Sequence, residues 1–186
     1  MVRRWQFGAS GESGGRGREK GGPEEPADHA LGRSRGGFGS KIHLVADGHG
    51  LPLAAHVTAA QVHESTQLEA VLSRVRIRQS RGRPRSRPEA LAGDKAYSYP
   101  RIRRWLRRHA IRGIIPRRSN QHPDDGRVRF DRPQYRRRST IEQCVGWLKE
   151  CRRLATRFEK LAVNFVAMIH VAFIERYLRV AFSDRV

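Results

Sequence analysis

From Phe38 the chain turns abruptly from glycine-rich to apolar, and SKIHLVAD, GHG and LPLAAHVT follow one another over residues 40–58. Two extended apolar runs on either side of a tight Asp-Gly turn predict a β-hairpin. An isolated hairpin is marginal in water, so the rest of the chain must supply further strands or a packed helix. Those partners are legible downstream. Leu68, Val71, Leu72 and Val75 recur at helical spacing in AAQVHESTQLEAVLSRVRI, with Ser65 or Thr66 as cap. EALAGDKAYS is a short apolar run ending in Asp94. YPRIRRWLRRH reads as a helix with Ile102, Trp105 and Leu106 inward, and IRGIIP as a further short strand. The last long segment, LAVNFVAMIHVAFIERYLRVAF, is apolar on nearly every side and reads as a buried closing helix. The order strand, strand, helix, strand, helix, strand, helix, helix predicts an α/β chain on a mixed sheet.

The 186 residues suit one domain. Lysine and arginine number 38 against 18 acids, a formal charge of +20. Unpaired charges are rarely buried, so most of that excess lies on the surface and its natural partner is a polyanion. Nucleic acid fits better than membrane. Asn164, His170, Glu175, Arg176 and Arg179 interrupt the closing helix within the roughly 20 apolar residues a bilayer span requires. MVRRWQFGASGE lacks the apolar core of a signal peptide, and cytoplasmic, nucleoid-associated residence is expected. Cys144 and Cys151 are too far apart for a disulfide, about 10.5 Å along one helix, and read as small buried hydrophobes. The eight histidines show neither an H-E-x-x-H helix nor a Cys/His zinc spacing.

Residues 1–37 carry SGESGGRGREKGGPEEP, which has no apolar periodicity and is expected to be loop or disorder. Its Arg16, Arg18 and Lys20 read as a solvated tail. VRRWQF before it is open between a short strand and a frayed end. RQSRGRPRSRP is a basic loop, read either as a phosphate-contacting segment or as a solvated linker.

Residues 135–149, YRRRSTIEQCVGWLK, concentrate the reactive side chains. At about 100° per residue on one helix, Tyr135, Arg138, Glu142 and Lys149 fall within an arc of about 60°. Ile141, Cys144, Val145, Leu148 and, one turn on, Cys151 and Ala155 gather on another face. Asp131 suits the N-cap and Pro133 the first turn. Taken alone, Arg138 and Glu142 are an ordinary i, i+4 pair. Asp94 stands at the carboxyl end of its predicted strand, where α/β sheets collect functional residues. Gly93 and Lys95 keep that position open and electropositive; equally, Asp94 could simply cap the next helix.

The spacing Tyr135-x2-Arg138-x3-Glu142-x6-Lys149 resembles the Y-(2)-R-(3)-E-(6)-K signature of DDE insertion-sequence transposases. GGFGSKIHLVADGHGLPLA, LAGDKAY, IIPRRSNQ and LATRFEKLAVNF are similar to the catalytic domain of the same family, especially its insertion-sequence-five group. The resemblance covers about residues 26–180. It implies an RNase H-like mixed sheet flanked by helices over residues 38–186. It also implies that Asp94 and Glu142 are catalytic metal ligands, and that Tyr135, Arg138, Lys149 and Lys95 contact DNA phosphates. The chemistry implied is Mg²⁺- or Mn²⁺-dependent phosphodiester cleavage and strand transfer, with two ions in the complete enzyme. Double-stranded DNA is the implied partner, with a further copy or a full-length transposase as protein partner.

The family's first aspartate belongs on the first strand, a few residues before a Val-Arg pair; here Val2-Arg3 follows Met1 directly. The first strand is therefore expected to be largely missing and the catalytic domain incomplete and inactive alone. Asp47, in the hairpin turn, is expected not to replace the missing acid. The alternatives are a DNA-binding fragment that inhibits full-length transposase, and an unselected remnant.

Overall fold

The computed structural model describes residues 4–9, 13–14, 28–35, 37–121 and 130–183. The hairpin is present as β4 (Gly37–Asp47) and β5 (Pro52–Ala59), paired antiparallel. Its turn is closed by Asp47, whose Oδ1 accepts the amides of His49 at 2.8 Å and Leu51 at 2.9 Å. Strand β1 (Arg4–Ala9) lies antiparallel to β4 on one side and parallel to β6 (Ala90–Ala92) on the other. Strand β7 (Arg112–Ile114) continues the sheet parallel to β6. Short strands β2 (Ser13–Gly14) and β3 (Gly32–Ser34) pair with the start of β4. The five main strands run β5-β4-β1-β6-β7, two antiparallel pairings followed by two parallel ones. This is the RNase H-like mixed sheet. The place of the first strand, expected to be largely missing, is taken by Arg4–Ala9, from the stretch that the sequence leaves undecided. Arg16, Arg18 and Lys20 lie outside the described residues.

Period-two alternation on β1 builds both cores. Trp5 and Phe7 point to one face, where Leu91, Tyr97, Ile102 and Leu106 pack with Leu68, Val71 and Leu72 of α1 (Leu68–Leu72). Helix α2 (Pro100–Arg108), with Pro100 in its first turn as N1 geometry favours, covers that face too. Gln6 and Gly8 point to the other face, toward α4 (Ser139–Glu150). There Leu44, Ile141, Cys144 and Leu148 pack with Phe165 and Ile169 of α6 (Ala162–Phe182). Burying a side chain of this size contributes about 1.5–3 kcal/mol.

Three helical expectations are corrected. The helix expected over residues 65–75 is a 3-10 turn, Glu64–Thr66, followed by α1; the turn's cap is His63, whose Nδ1 accepts the Ser65 amide at 3.2 Å. The single helix expected through Cys151 and Ala155 is three: α3 (Arg132–Arg136), α4 and α5 (Arg152–Thr156). Asp131 does cap the first, accepting the Gln134 amide at 3.0 Å, with Pro133 in its first turn. Helix α6 is not buried all round: Phe165, Ile169 and Phe173 face the core, whereas Val163, Val171, Ile174, Leu178 and Phe182 are exposed. No helix among the described residues is long and apolar enough to cross a membrane.

Gln6 explains the break between α3 and α4. Its side-chain amide donates to the Arg137 carbonyl at 2.8 Å, while its Oε1 accepts the Ile141 amide at 3.1 Å and the Thr140 hydroxyl at 2.6 Å. One buried glutamine from the central strand thus gives a second partner to a carbonyl and an amide at the junction of the two helices, beside the backbone bonds from Thr140 to Arg137 and from Ile141 to Arg138. A second buried polar anchor is Arg157, at a left-handed φ of 43° between α5 and α6. Its guanidinium donates to the carbonyls of His29, Ala30, Glu159 and Lys160 and to the Ser40 hydroxyl, and stacks 4.9 Å from the Phe165 ring centroid. It ties residues 28–40 to the carboxyl-terminal helices.

Candidate active site

Asp94 sits two residues past the carboxyl end of β6, and the capping reading of it holds. It is the N-cap of a 3-10 turn, Lys95–Tyr97, with Oδ1 accepting the Ala96 amide at 2.8 Å. A carboxylate has a second oxygen, and capping through Oδ1 leaves Oδ2 for another partner. Gly93 is closely packed beside it: a Cβ there would meet the Tyr97 ring at 3.2 Å. Lys95 is exposed, and its carbonyl accepts from Arg118 Nε at 3.1 Å. The Arg118 guanidinium lies 4.6 Å from the Tyr99 ring centroid. A cation that the family motif does not mark therefore stands over the Asp94 turn.

The turn is held from two sides. On one, Tyr97 donates to Glu64 Oε2 at 3.5 Å and the Tyr99 hydroxyl meets His63 Nε2 at 3.4 Å. On the other, Ser98, fully buried, donates to Gln121 Oε1 at 2.7 Å and accepts from Arg103 at 2.9 Å. Burial and the neighbouring Glu64 and Asp94 charges push the Tyr97 phenol well above its ordinary range. Burial likewise raises the Glu64 carboxyl, opposed by Lys41, whose Nζ is 4.0 Å from Glu64. The polar environment of Asp94 was not visible in the sequence, where His63 and Glu64 read as part of a helix start.

The four motif residues do not share one helix face, because the chain breaks before Ser139. Tyr135 belongs to α3, and its ring packs on Ala90, Ala92 and Ile114 and lies 5.2 Å from the Phe130 ring. The guanidinium of Arg138, at the break, lies 5.6 Å from the Tyr135 centroid and pairs with Glu142. Glu142 is exposed on α4, one residue from Ile141, whose side chain a Cβ on Gly8 would meet at 3.1 Å. Lys149 is exposed in the last turn of α4.

The parallel ladder pairs Gln6 with Ala92, so its continuation sets Gly8 level with Asp94. The strand next to Asp94 thus offers only a hydrogen at that level, and none of its residues Arg4–Ala9 is an acid. Asp47 pairs with Trp5, three residues back toward the other end of β1, and its Oδ1 is committed to the turn. Among the described residues no three histidine, cysteine, aspartate or glutamate side chains converge as a metal site. The donor set of Asp94 and Glu142 nevertheless suits a hard divalent cation that keeps most of its water, since both offer carboxylate oxygens.

A family model described as "Transposase DDE domain" matches residues 16–174. A protein named for the transposase of insertion sequence element IS402, from Burkholderia cepacia, is 37% identical over 161 residues, 86% of this chain and 66% of the relative. The chain thus spans just under two-thirds of that relative's length. Among solved structures, the piggyBac transposase synaptic complex with hairpin DNA aligns at a TM-score of 0.41 and 14% identity, covering 68% of this chain and 27% of that one. With the family model matching most of its length, the chain belongs to the DDE-domain transposases.

Proposed function

We propose that this chain is part of an insertion-sequence transposase, in which Asp94 and Glu142 hold a divalent cation against a DNA phosphodiester. The observation that carries the reading is Gln6, which pairs on β1 with Ala92, two residues before Asp94, and accepts the amide of Ile141, the neighbour of Glu142, at 3.1 Å. Mg²⁺ or Mn²⁺ bound there supplies Lewis-acid chemistry for phosphoryl transfer. The protein's own part is to aim carboxylate oxygens and cations. Asp94 is aimed by its cap bond to Ala96, and Glu142 by Arg138. Tyr135, Arg138, Lys149 and Lys95 bind DNA phosphates around the site, and duplex DNA is the substrate. Association with another copy or with a longer transposase belongs to the same reading.

The absence of any acid from Arg4–Ala9, the strand beside Asp94, favours a division of roles: this chain binds DNA and a cation but does not cut or join strands. Two carboxylates hold one ion, and a pair of ions sharing ligands needs a third. The same absence supports the alternative in which the chain inhibits a complete transposase by occupying its DNA. Strand cleavage is measured with Mg²⁺ and with Mn²⁺, beside Mn²⁺ binding followed by electron paramagnetic resonance. Expected is Mn²⁺ binding that falls in Asp94→Asn and in Glu142→Gln, with no cleavage. Cleavage by the chain that vanishes in Asp47→Ala overturns the assignment of inactivity, and Mn²⁺ binding indifferent to both site variants overturns the site.

A further inference from the structure

Residues 77–85 form a small tongue that the transposase reading leaves unused. Ile77 and Arg85 exchange both backbone hydrogen bonds, at 2.9 and 2.8 Å, and Gly82, at a left-handed φ of 83°, turns the chain between them. Arg78, Arg81 and Arg83 are exposed on the tongue, and Arg87, also exposed, follows at its base. A cavity of about 490 Å³ separates the tongue from the end of α2, lined by Arg83, Arg87 and His109, with Glu89 on its wall. Among the described residues none of these four arginines forms an ion pair; Arg87 donates only to the His109 carbonyl, at 3.5 Å.

The tongue leads into Pro88, which is buried, and then into β6. Asp94 lies beyond the other end of that strand, about 20 Å from Pro88 at the rise of an extended chain. The tongue and the candidate active site therefore occupy opposite ends of the sheet, and one straight duplex lying across the Asp94 end does not reach the tongue. Four guanidinium groups at one end of a fixed loop match the sign of a phosphate backbone, and each phosphate they neutralise would release a counterion on binding. Residues 78–88 contain no aromatic side chain, so they offer no platform on which single-stranded bases stack. The bridge at Ile77 and Arg85, with Pro84 and Pro88, fixes the tongue before it binds, which lowers the ordering cost.

We propose that this tongue is a second duplex-DNA contact surface, gripping the phosphates of a different DNA segment from the one at Asp94. The proposal rests on the reading that the Asp94 end binds DNA, and the test separates the two. A duplex of 12 base pairs is titrated by calorimetry into the full chain, into R78Q/R81Q/R83Q/R87Q and, as a milder change confined to the tip, into R81Q/R83Q. Circular dichroism checks that each variant is folded. Expected at 50 mM salt are two duplexes per wild-type chain and one per quadruple variant, with two for the tip variant and the weaker of them weakened further. The tongue's affinity should fall about 100-fold between 50 and 200 mM salt, as four phosphate contacts imply. One duplex per wild-type chain, unchanged in affinity in the quadruple variant, overturns the tongue while leaving the Asp94 end as a binding site. Two duplexes per quadruple variant also overturn it. No binding by any form overturns both readings.

Discussion

The side chain of Gln6 and the carbonyl of Arg137 are joined at 2.8 Å across 131 residues of sequence. That bond, with those from Gln6 to Thr140 and Ile141, sets where α4 begins and so where Glu142 stands. Gln6→Ala removes all three and leaves the Ile141 amide only its 3.0 Å bond to the Arg138 carbonyl. The expected loss is about 3 kcal/mol, read from urea denaturation. A loss under about 1 kcal/mol would mean that the elbow between α3 and α4 is held by other contacts.

Asp94 combines a cap with the proposed ligand role, and one pair of substitutions separates the two. Asn accepts a hydrogen bond as well as Asp does at an N-cap, so Asp94→Asn should keep stability within about 0.5 kcal/mol while losing Mn²⁺ binding. Asp94→Ala should lose both, with about 1 kcal/mol of stability. Equal Mn²⁺ affinity in wild type and Asp94→Asn would leave Asp94 as a cap alone.

Asp47 makes the opposite case. Its carboxylate holds the hairpin turn, and Asp47→Ala should cost about 1–2 kcal/mol with Mn²⁺ affinity unchanged. A fall in Mn²⁺ affinity at constant stability would place Asp47 in the site after all.

Arg138 and Lys149 should contribute charge rather than sequence readout. Arg138→Gln and Lys149→Gln are each expected to weaken duplex binding alike for unrelated sequences, lowering the salt slope by about 0.9 per lost contact. Anisotropy titrations at three salt concentrations measure this, and a loss confined to one sequence would contradict it.

His43 gives the fold a dependence on pH. It is buried on β4 with Nε2 2.8 Å from the Thr58 hydroxyl; desolvation, and then the neighbouring His56 and Lys41, lowers its pKa to about 3. The unfolded chain, with an ordinary histidine near 6.5, binds more protons between those values. Stability therefore falls as pH drops from about 6.5 toward 3, by up to about 1.4 kcal/mol per pH unit for this group. His56, also lowered by burial, acts in the same direction. Denaturation at pH 7, 5.5 and 4.5 should show this slope, reduced in His43→Gln; an unchanged slope would assign it elsewhere.

What the sequence disclosed depended on the range of the forces involved. The hairpin of β4 and β5, the Asp131 cap, Pro133 and the strand end at Asp94 are written in neighbouring residues, and the structure places them as read. Gln6 and Arg157 carry no such signal. A glutamine in a short strand and an arginine among many look ordinary until partners more than 100 residues away arrive. The division of residues 135–149 into separate helices escaped for the same reason, since its cause lies on β1. The outer face of α6 was misread because hydrophobicity alone does not tell a helix surrounded by protein from one covered on one side.

The central place of Arg4–Ala9 also governs when this protein can acquire its shape. Of the described residues these are the first to leave the ribosome, yet their parallel neighbour begins at Ala90 and the groups that answer Gln6 lie at 137–141. Until β6 and α2 have been synthesised, Trp5 and Phe7 have only the β4 hairpin and α1 to cover them, and the side of β1 meant for β6 stays open to other strands. Such distant pairings make for slow, late folding and an interval of exposure to aggregation. Nascent chains stalled before about residue 140 should therefore be caught by chaperones or proteases rather than persist as a partly folded sheet.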